Sequence, residues 1–309
     1  MRLGIFMTMK EGIIDGHCHL WKRDSVERTW LTPKFGPLYR SFTPADFLQA
    51  ATMHGVTRCV LIESGATAED NQAMEQMAAS ADVVGVFLPY VDLASASLEK
   101  QLDIWQLNPK FRGVRAQFEG HPDPEILTRA PITGGLRKIA RRGLVFEFIV
   151  RVGHLQSLLT LYENIPELKG VINHMAKPDM IAGEEREHWR SFMRALASNT
   201  PIACKLSLSP RVETIDETLG AIGSGWPVEA IKPYVQFLME QFGARRLMWG
   251  SDWPVCLLAS SYGDTLNAIR EAIGPLANAE EQCIFSTTAA RFYSLRETDT
   301  QGREVIATP

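Results

Sequence analysis

The sequence predicts an α/β fold consisting of a single, distorted (β/α)8 TIM-type barrel. Its 309 residues suit one such barrel, for which about 250 residues is typical. Short apolar runs alternate with longer amphipathic runs along the whole chain, which is the pattern of parallel strands covered by helices. No GxGxxG sequence follows the first apolar run, and this disfavours an open, doubly wound dinucleotide-binding sheet.

Eight short apolar segments are the predicted strands, and most are rich in Val, Ile, Leu and Phe, as strands covered by helices should be. They span residues 13–20, 58–64, 83–92, 112–119, 144–151, 169–175, 202–208 and 246–252. The clearest helix begins at Thr43, where Thr-Pro-Ala-Asp supplies an N-cap, a proline at the first helical position and an acid at the third. Segments 68–80, 184–198 and 228–242 also favour helices.

The chain is predicted to hold one domain. Residues 1–12 form an N-terminal extension, residues 13–295 form the barrel, and residues 296–309 form a polar C-terminal tail that we expect to fray. Three long loops follow predicted strands one, four and seven, and they span 22–42, 120–135 and 209–227. Barrels carry their active sites at the carboxyl ends of their strands, so we expect these loops to form lids or substrate walls.

The overall composition disfavours several classes of partner. The formal net charge is −4 and 45% of the residues are hydrophobic, so nothing favours nucleic acid or an anionic membrane. No run approaches the roughly 20 apolar residues of a membrane span, and the first residues lack a signal-peptide cleavage site. The five cysteines are widely separated, which favours free thiols in a reducing compartment over disulfides. We therefore predict a cytoplasmic protein.

The strongest local pattern is Asp15-Gly16-His17-Cys18-His19 at the end of the first predicted strand. Alternate side chains of a strand share a face, so His17 and His19 are predicted to point together into the mouth of the barrel. Two imidazoles on one strand suit a metal site, or can donate hydrogen bonds to a developing oxyanion. These residues alone leave an equal alternative, two surface histidines near a turn.

Two further strand ends carry candidate site residues. His174 ends the sixth predicted strand, and Asp252 ends the eighth. An aspartate in an apolar strand end is costly to bury unless it is paired or bound to a cation, although a helix-capping role for Asp252 stays open. The other four histidines favour solvated or structural roles, and they are His54, His121, His154 and His188.

Polar side chains with inward spacing recur on predicted strands four, five and seven. They are Arg115, Gln117, Glu119, Glu147, Arg151, Lys205 and Ser207. If they face inward, the barrel mouth holds several cations and suits an anionic substrate. The equal alternative is that Arg115, Arg151 and Lys205 form internal ion pairs with Glu119 or Glu147.

Four motifs together carry a family resemblance. IIDGHCHLW, FRGVRAQFE, GVINHMAKPD and LMWGSDWPV resemble the "amidohydrolase 2" branch of the amidohydrolase superfamily, and the resemblance extends from about residue 13 to residue 293. Within that branch the sequence is similar to the lactonase group, which includes sugar-acid lactonases, 2-pyrone-4,6-dicarboxylate lactonase and sulfomuconolactone hydrolase. The resemblance implies a distorted barrel of the amidohydrolase type. It places the active-site core at His17, His19, His174 and Asp252, with Arg115 binding substrate.

The resemblance also bears on the cofactor. Binuclear amidohydrolases use a bridging carboxylated lysine and two further histidines, and no predicted strand supplies that set. The lactonase branch contains both mononuclear zinc enzymes and metal-independent ones. We therefore predict either no metal or one Zn²⁺ held by His17, His19, His174 and Asp252, with Glu119 or Glu147 as an extra ligand, and no organic cofactor.

The leading hypothesis is hydrolysis of the lactone ring of an anionic small molecule, which is either a sugar-acid lactone or a carboxylated or sulfonated lactone. Asp252 acts as the general base, and the three histidines polarise the carbonyl directly or through zinc. The residues expected to hold the anionic group are Arg115, Lys177, Lys205 and Arg40. Three alternatives stay open: a zinc-dependent non-oxidative decarboxylase, a lactone isomerase, and a non-catalytic ligand-binding barrel. A homo-oligomer is compatible with all of them.

Overall fold

The computed structural model describes residues 12–24, 28, 30–180, 183, 185–210 and 225–295, together with the backbone of Glu297–Thr298 and Glu304–Val305. Within these residues eight parallel strands follow one another in chain order. They are β1 (Ile13–Cys18), β2 (Val56–Ile62), β3 (Val84–Leu88), β4 (Gly113–Gln117), β5 (Val145–Ile149), β6 (Lys169–Ile172), β7 (Ala203–Leu206) and β8 (Leu247–Trp249). Most of the predicted extension, and parts of the first and third long loops, lie outside the described residues.

The strands form two arcs, β1-β2-β3 and β4-β5-β6-β7-β8, each paired in parallel through neighbouring strands. Parallel bridges at Phe87–Phe111 and Tyr90–Arg115 join β3 to the β4 side. A further parallel bridge joins Cys18 of β1 to Trp253, beyond the end of β8. The arcs thus meet at both seams through isolated bridges rather than continuous ladders, which is the distorted barrel that the sequence predicts.

Helices follow the strands in alternation. They are α1 (Pro44–Ala51), α2 (Ala68–Ser80), α3 (Leu98–Trp105), α4 (Ala130–Arg141), α5 (Leu155–Asn164), α6 (Arg186–Asn199), α7 (Val228–Phe242), α8 (Tyr262–Ile273), α9 (Asn278–Gln282) and α10 (Thr288–Phe292). The predicted start of α1 is confirmed, because the Asp46 side chain accepts a hydrogen bond from the Thr43 N–H at 2.8 Å and Thr43 caps the Asp46 N–H in return. The predicted bounds of α2 and α7 are also confirmed.

The strands end two to four residues earlier than predicted, and the sixth and eighth end just before candidate site residues. The sixth strand stops at Ile172 because the next residues turn through left-handed backbone, with φ of 48° at His174 and 47° at Lys177. The eighth stops at Trp249, and Asp252 has φ of 56°. Positive φ is rare in residues other than glycine and cannot continue a strand. The polar tail was expected to fray, but β9 (Glu297–Thr298) and β10 (Glu304–Val305) pair antiparallel.

The apolar core has two layers. A small inner cluster fills the barrel, and its strand residues are Ile14, Val60, Ile62, Val86, Leu88, Val145, Val171, Ala203 and Met248. A larger outer cluster lies between the strands and the helices. Tyr293 belongs to the inner layer and reaches Glu147 with its hydroxyl group. The inner layer thus forms a packed floor on which the polar groups of the barrel mouth rest.

Two further predictions, free cysteines and no membrane-spanning segment, can be compared with the structure. All five cysteines are free thiols, as predicted, and four of them are buried. Among the helices that the structure describes, none is both long enough and apolar enough to cross a bilayer.

Candidate active site

The structure brings the four predicted core residues together at the carboxyl end of the barrel. The Nε2 atoms of His17 and His19 lie 3.2 Å apart. Oδ1 of Asp252 lies 3.2 Å from His19 Nε2, 3.6 Å from His17 Nε2 and 3.8 Å from His174 Nε2. All four residues are buried. Three imidazoles therefore converge on one carboxylate oxygen.

Backbone contacts between β1 and the segment after β8 hold this arrangement. The Asp252 N–H donates to the carbonyl of His17 at 2.9 Å, and the His19 N–H donates to the carbonyl of Trp253 at 2.7 Å. A side chain at Gly250 would place its Cβ 2.6 Å from the Cβ of His17, so only glycine allows this approach. The left-handed φ of His174 and Asp252 costs on the order of 1–3 kcal/mol each. Such strained backbone is kept only where many surrounding contacts fix its conformation.

A buried carboxylate beneath the cluster reinforces the same seam. Asp15 accepts hydrogen bonds from the Ser251 N–H at 2.9 Å, from the Tyr262 hydroxyl at 2.9 Å and from the His17 N–H at 3.1 Å. Asp15 thus ties β1 to the turn that carries Asp252. In the sequence, Asp15 stands out only as part of the motif that contains His17 and His19, and no role was predicted for it.

The protonation states follow from burial and from the neighbouring charges. Burial lowers the pKa of His17 well below its ordinary value, and Lys205 lowers it further. Burial also lowers the pKa of His174, although Asp252 opposes this shift. For Asp252, burial raises the pKa, but His174 and His19 outweigh that effect and bring it to about 2. At neutral pH the cluster therefore holds an ionised carboxylate and neutral imidazoles at His17 and His174.

His19 shows most directly that the cluster suits a bound cation. Its Nδ1 lies 2.9 Å from the carbonyl oxygen of Glu63 and 3.1 Å from that of Ile62. Carbonyls only accept, so Nδ1 carries a proton, and Nε2 faces Oδ1 of Asp252 at 3.2 Å. A nitrogen and a carboxylate oxygen that face each other in this way can share a proton or a metal ion. The other carboxylate oxygen, Oδ2 of Asp252, is buried without a hydrogen-bond partner among the described residues.

The donor set fits one divalent metal ion. Ligand atoms of His17, His19 and Asp252 lie within 4.8 Å of one another. Nδ1 of His174 lies 2.9 Å from the Ser207 hydroxyl, the kind of outer contact that orients a metal-binding imidazole. Neutral imidazoles and an ionised carboxylate are also the protonation states that a metal requires.

Lys205 lies beneath His17 rather than in the open mouth. Its ammonium is 3.2 Å from Nδ1 of His17 and 2.7 Å from Oε2 of Glu147. Tyr293 and Asn173 also donate hydrogen bonds to Glu147. Lys205 and Glu147 are both fully buried. This position does not support direct contact of Lys205 with substrate, or of Glu147 with a metal, because the two side chains are already paired with each other.

Arg115 lies at the mouth beside His17, held by a residue that the sequence analysis missed. Its Nε donates to Oε1 of Glu63 at 2.7 Å, its Nη2 to the Glu63 carbonyl at 2.9 Å, and its Nη1 is 3.5 Å from His17 Nε2. Gln117 contacts the same Glu63 oxygen at 3.1 Å. The sequence did contain a signal for Glu63, because it is an acid directly after an apolar run, at the end of a predicted strand.

A cavity of about 510 Å³ lies among the segments that follow β4, β5 and β6. Glu119 is one of its lining residues, with Oε1 2.7 Å from Lys177 Nζ and 3.0 Å from Arg151 Nη2. Residues of the predicted 120–135 loop form one wall, including His121. Arg40 contacts neither this cavity nor the histidines, because it pairs with Asp46 at 3.0 Å and is half exposed.

Comparisons with known proteins confirm the family resemblance. The sequence model of the Amidohydrolase family matches residues 14–295. An L-fucono-1,5-lactonase of Burkholderia ambifaria is 30% identical over 289 residues, which are 91% of this chain and 95% of that protein. A 2-pyrone-4,6-dicarboxylate hydrolase of Comamonas testosteroni is 23% identical over 79% of this chain and 77% of that protein. The crystal structure of a Burkholderia multivorans amidohydrolase with bound zinc has a TM-score of 0.80 at 24% identity and covers 92% of this chain and 99% of that one.

Proposed function

Because the chain belongs to the Amidohydrolase family, we propose that it hydrolyses lactones at the cluster of His17, His19, His174 and Asp252. The similar proteins named for hydrolysis of a sugar lactone and of a pyrone dicarboxylate support this class of reaction. The observation that carries the proposal is the buried Oδ2 of Asp252, which has no hydrogen-bond partner within the described part of the chain. A carboxylate oxygen held ionised without a partner is suited to accept a proton from water.

In the proposed reaction, the oxygen of water attacks the carbonyl carbon of the lactone and Oδ2 of Asp252 takes its proton. The ring C–O bond then breaks, and the proton passes from Asp252 to the departing ring oxygen, which leaves a hydroxy acid. Since its pKa is about 2, Asp252 is always ionised at neutral pH but is a weak base. Much of the acceleration must therefore come from stabilising the oxyanion.

His17 and Arg115 are the residues proposed to stabilise that oxyanion. The Lys205 ammonium donates toward Nδ1 of His17, so the proton of the neutral ring lies on Nε2, on the side facing the cluster. Nη1 of Arg115 lies beside the same Nε2 at 3.5 Å. One well-placed donor of this kind contributes about 10²–10³ in kcat. Lys205 is thus proposed as a positioning residue and not as a contact to substrate.

A single Zn²⁺ is the metal proposed for this site. His19, His174 and Asp252 would hold it, and His17 would join them if its proton moved to Nδ1. When bound, zinc acts as a Lewis acid that polarises the lactone carbonyl. The zinc found in the similar Burkholderia multivorans structure supports this assignment.

An acid-release assay of the full chain tests the proposal, using aldono-, aldaro- and muconolactones with and without chelator and added Zn²⁺. Asp252→Asn should lower kcat by about 10²–10⁴, because an amide does not accept the proton. The matched control is Asp103→Asn, whose side chain is 65% exposed on α3, and it should retain full activity. Hydrolysis that survives in Asp252→Asn would contradict the mechanism.

The same assay distinguishes the alternatives. Release of CO2 without a ring-opened acid would identify a decarboxylase, and a rearranged lactone would identify an isomerase. Ligand binding without turnover, unchanged in Asp252→Asn, would identify a non-catalytic barrel. Activity lost with chelator and restored by Zn²⁺ would support the metal, whereas indifference to chelator would assign carbonyl polarisation to the histidines and Arg115.

A further inference from the structure

Glu63 is a buried acid outside the four-residue cluster that contacts both His19 and Arg115. It directly follows β2, and its side chain is 1% exposed. Its N–H donates to the carbonyl of Leu88, the last residue of β3, at 3.1 Å. Its own carbonyl oxygen accepts the Nδ1 proton of His19 at 2.9 Å. The main chain therefore fixes the position of Glu63 relative to the cluster.

We propose that Glu63 is a positioning residue for the reaction, because it holds Arg115 where Nη1 can donate to the oxyanion of the lactone. This inference rests on the proposed lactone hydrolysis, in which Arg115 stabilises that oxyanion. It adds a residue that acts through Arg115 and not through a contact of its own with the substrate.

Glu63 holds the guanidinium group of Arg115 at two points. Oε1 accepts from Nε at 2.7 Å, and the main-chain carbonyl accepts from Nη2 at 2.9 Å. A guanidinium group is planar and rigid, so two fixed nitrogens determine where the third one lies. That third nitrogen, Nη1, lies 3.5 Å from Nε2 of His17. The contacts with Glu63 therefore direct Nη1 toward the cluster.

Nη1 of Arg115 and Nε2 of His17 both face the cluster as hydrogen-bond donors. Nη1 carries only N–H groups, and Nε2 carries the ring proton in the tautomer that the ammonium of Lys205 favours. Two donors do not bond to each other, so both can donate to an oxygen that binds beside them. An oxyanion, which only accepts, suits that place.

The hydrogen bonds of the Glu63 carboxylate are directed to β4. Oε1 accepts from Arg115 and also, at 3.1 Å, from Nε2 of Gln117 on the same strand. Oε2 is buried and lacks a hydrogen-bond partner among the residues that the structure describes. A carboxylate that served stability alone would have both oxygens satisfied, because an unsatisfied buried acceptor is costly. These contacts therefore fit a role in directing Arg115 better than a role in stability.

The imidazole of His17 lies between two cations, each held by a buried carboxylate. Glu147 holds Lys205, whose ammonium lies 3.2 Å from Nδ1 of His17. Glu63 holds Arg115 on the other side, 3.5 Å from Nε2. Glu63 therefore positions the cation on the side of His17 that faces the cluster, and Glu147 positions the cation on the opposite side.

The test measures kcat and KM with the lactone that the wild type hydrolyses fastest, and circular dichroism supplies the folded fraction by which kcat is corrected. Glu63→Leu and Arg115→Met should each lower kcat about 10²–10³-fold. KM should change little, since the lost interaction is made in the transition state. The conservative variant Glu63→Gln keeps an acceptor for Nε of Arg115 and should lose only about tenfold in kcat.

The double variant Glu63→Leu, Arg115→Met decides whether Glu63 acts through Arg115. If it does, the double variant should have the same kcat as Arg115→Met, because Glu63 then has nothing left to position. The double variant also removes both buried charges. It should therefore fold even if Glu63→Leu, which leaves Arg115 buried without its partner, does not.

The matched control is Glu75→Gln on α2, a half-buried acid whose Oε1 accepts from Asn108 at 2.9 Å, and it should keep the kcat and KM of the wild type. Three results would overturn the positioning role and leave lactone hydrolysis intact: a wild-type kcat in Glu63→Leu, an effect confined to KM, or a kcat of the double variant about tenfold or more below that of Arg115→Met. No hydrolysis by the wild type would overturn the proposed function, and the role of Glu63 with it.

Discussion

The β1–β8 side of the barrel mouth and the β4–β6 side hold their polar groups in different ways. On the first side, backbone hydrogen bonds and left-handed residues fix His17, His19 and Asp252, and the imidazole of His17 is neutral. On the second side, Glu119 and its two cations hold each other by side-chain ion pairs at the rim of a cavity. The first arrangement suits chemistry that needs a fixed geometry, and the second suits recognition, where side chains can adjust to a ligand.

The buried pair Lys205–Glu147 connects the two sides. It supports His17 from below and also anchors Asn173, the residue before His174. Lys205 thus contacts the histidine of β1, and Glu147 contacts the residue that precedes His174. Breaking this pair should affect the chemical side more than the recognition side.

The largest expected effect on stability comes from Lys205→Met. The substitution leaves Glu147 buried without its cation, which should lower the free energy of unfolding by about 3–5 kcal/mol. The double variant Lys205→Met, Glu147→Leu should recover part of that loss, because it removes the unpaired charge. Denaturant unfolding of the wild type and the variants measures both values. If the single variant lost less than about 1 kcal/mol, the buried pair would not have the role assigned here.

The protonation of His17 and His174 predicts an effect of intermediate size on the free energy of unfolding. The folded state lowers the pKa of His17 and His174, so below pH 6.5 the unfolded chain binds protons that the folded chain does not. Stability should therefore fall as the pH drops below 6.5, by about 1.4 kcal/mol per pH unit for each histidine. Unfolding measured with chelator from pH 7.5 to 5 tests this slope, which should be shallower in His174→Gln. A flat profile in the wild type would contradict the neutral state of these imidazoles.

Asp252 should add a further loss of stability at lower pH, in the same direction as the histidines. Its folded pKa of about 2 is below the ordinary value of 3.8, so it contributes stability above pH 3.8 that is lost as the pH falls toward 2. Asp252→Asn should remove this part of the acid dependence. The difference between the unfolding profiles of the wild type and the variant between pH 4.5 and 2.5 measures it, and parallel profiles would count against the depressed pKa.

The smallest effect is expected at Arg40. Its exposed pair with Asp46 should contribute about 0–1 kcal/mol, and its position away from the cavity predicts that Arg40→Gln leaves kcat/KM for the preferred lactone unchanged. The same lactone assay checks this expectation. If KM instead rose about tenfold or more in Arg40→Gln, Arg40 would be a substrate-binding residue, as predicted from the sequence.

The sequence alone predicted the barrel and the four candidate core residues. The barrel and the shared face of His17 and His19 depend on local patterns, whereas the set of four depends also on the family resemblance of the motifs. Alternation along β1 determines that His17 and His19 share a face, and the Thr43 to Asp46 motif determines where α1 begins. The same reasoning missed Glu63 and gave Asp15 no role, because their importance lies in contacts with Arg115 and Ser251, far away along the chain.

Which cation pairs with which carboxylate was decided only by the tertiary structure. Arg115 was expected to bind substrate or to pair with Glu119 or Glu147, yet it pairs with Glu63, which directly follows β2 and lies 52 residues earlier in the chain. Such pairing depends on the order of neighbouring strands, their register and the left-handed turns that redirect His174 and Lys177. The sequence therefore determined that chemistry occurs at the carboxyl end of the barrel, where strand periodicity places the histidines. The tertiary structure decided the charge that a substrate meets there, because charges cancel through contacts in space.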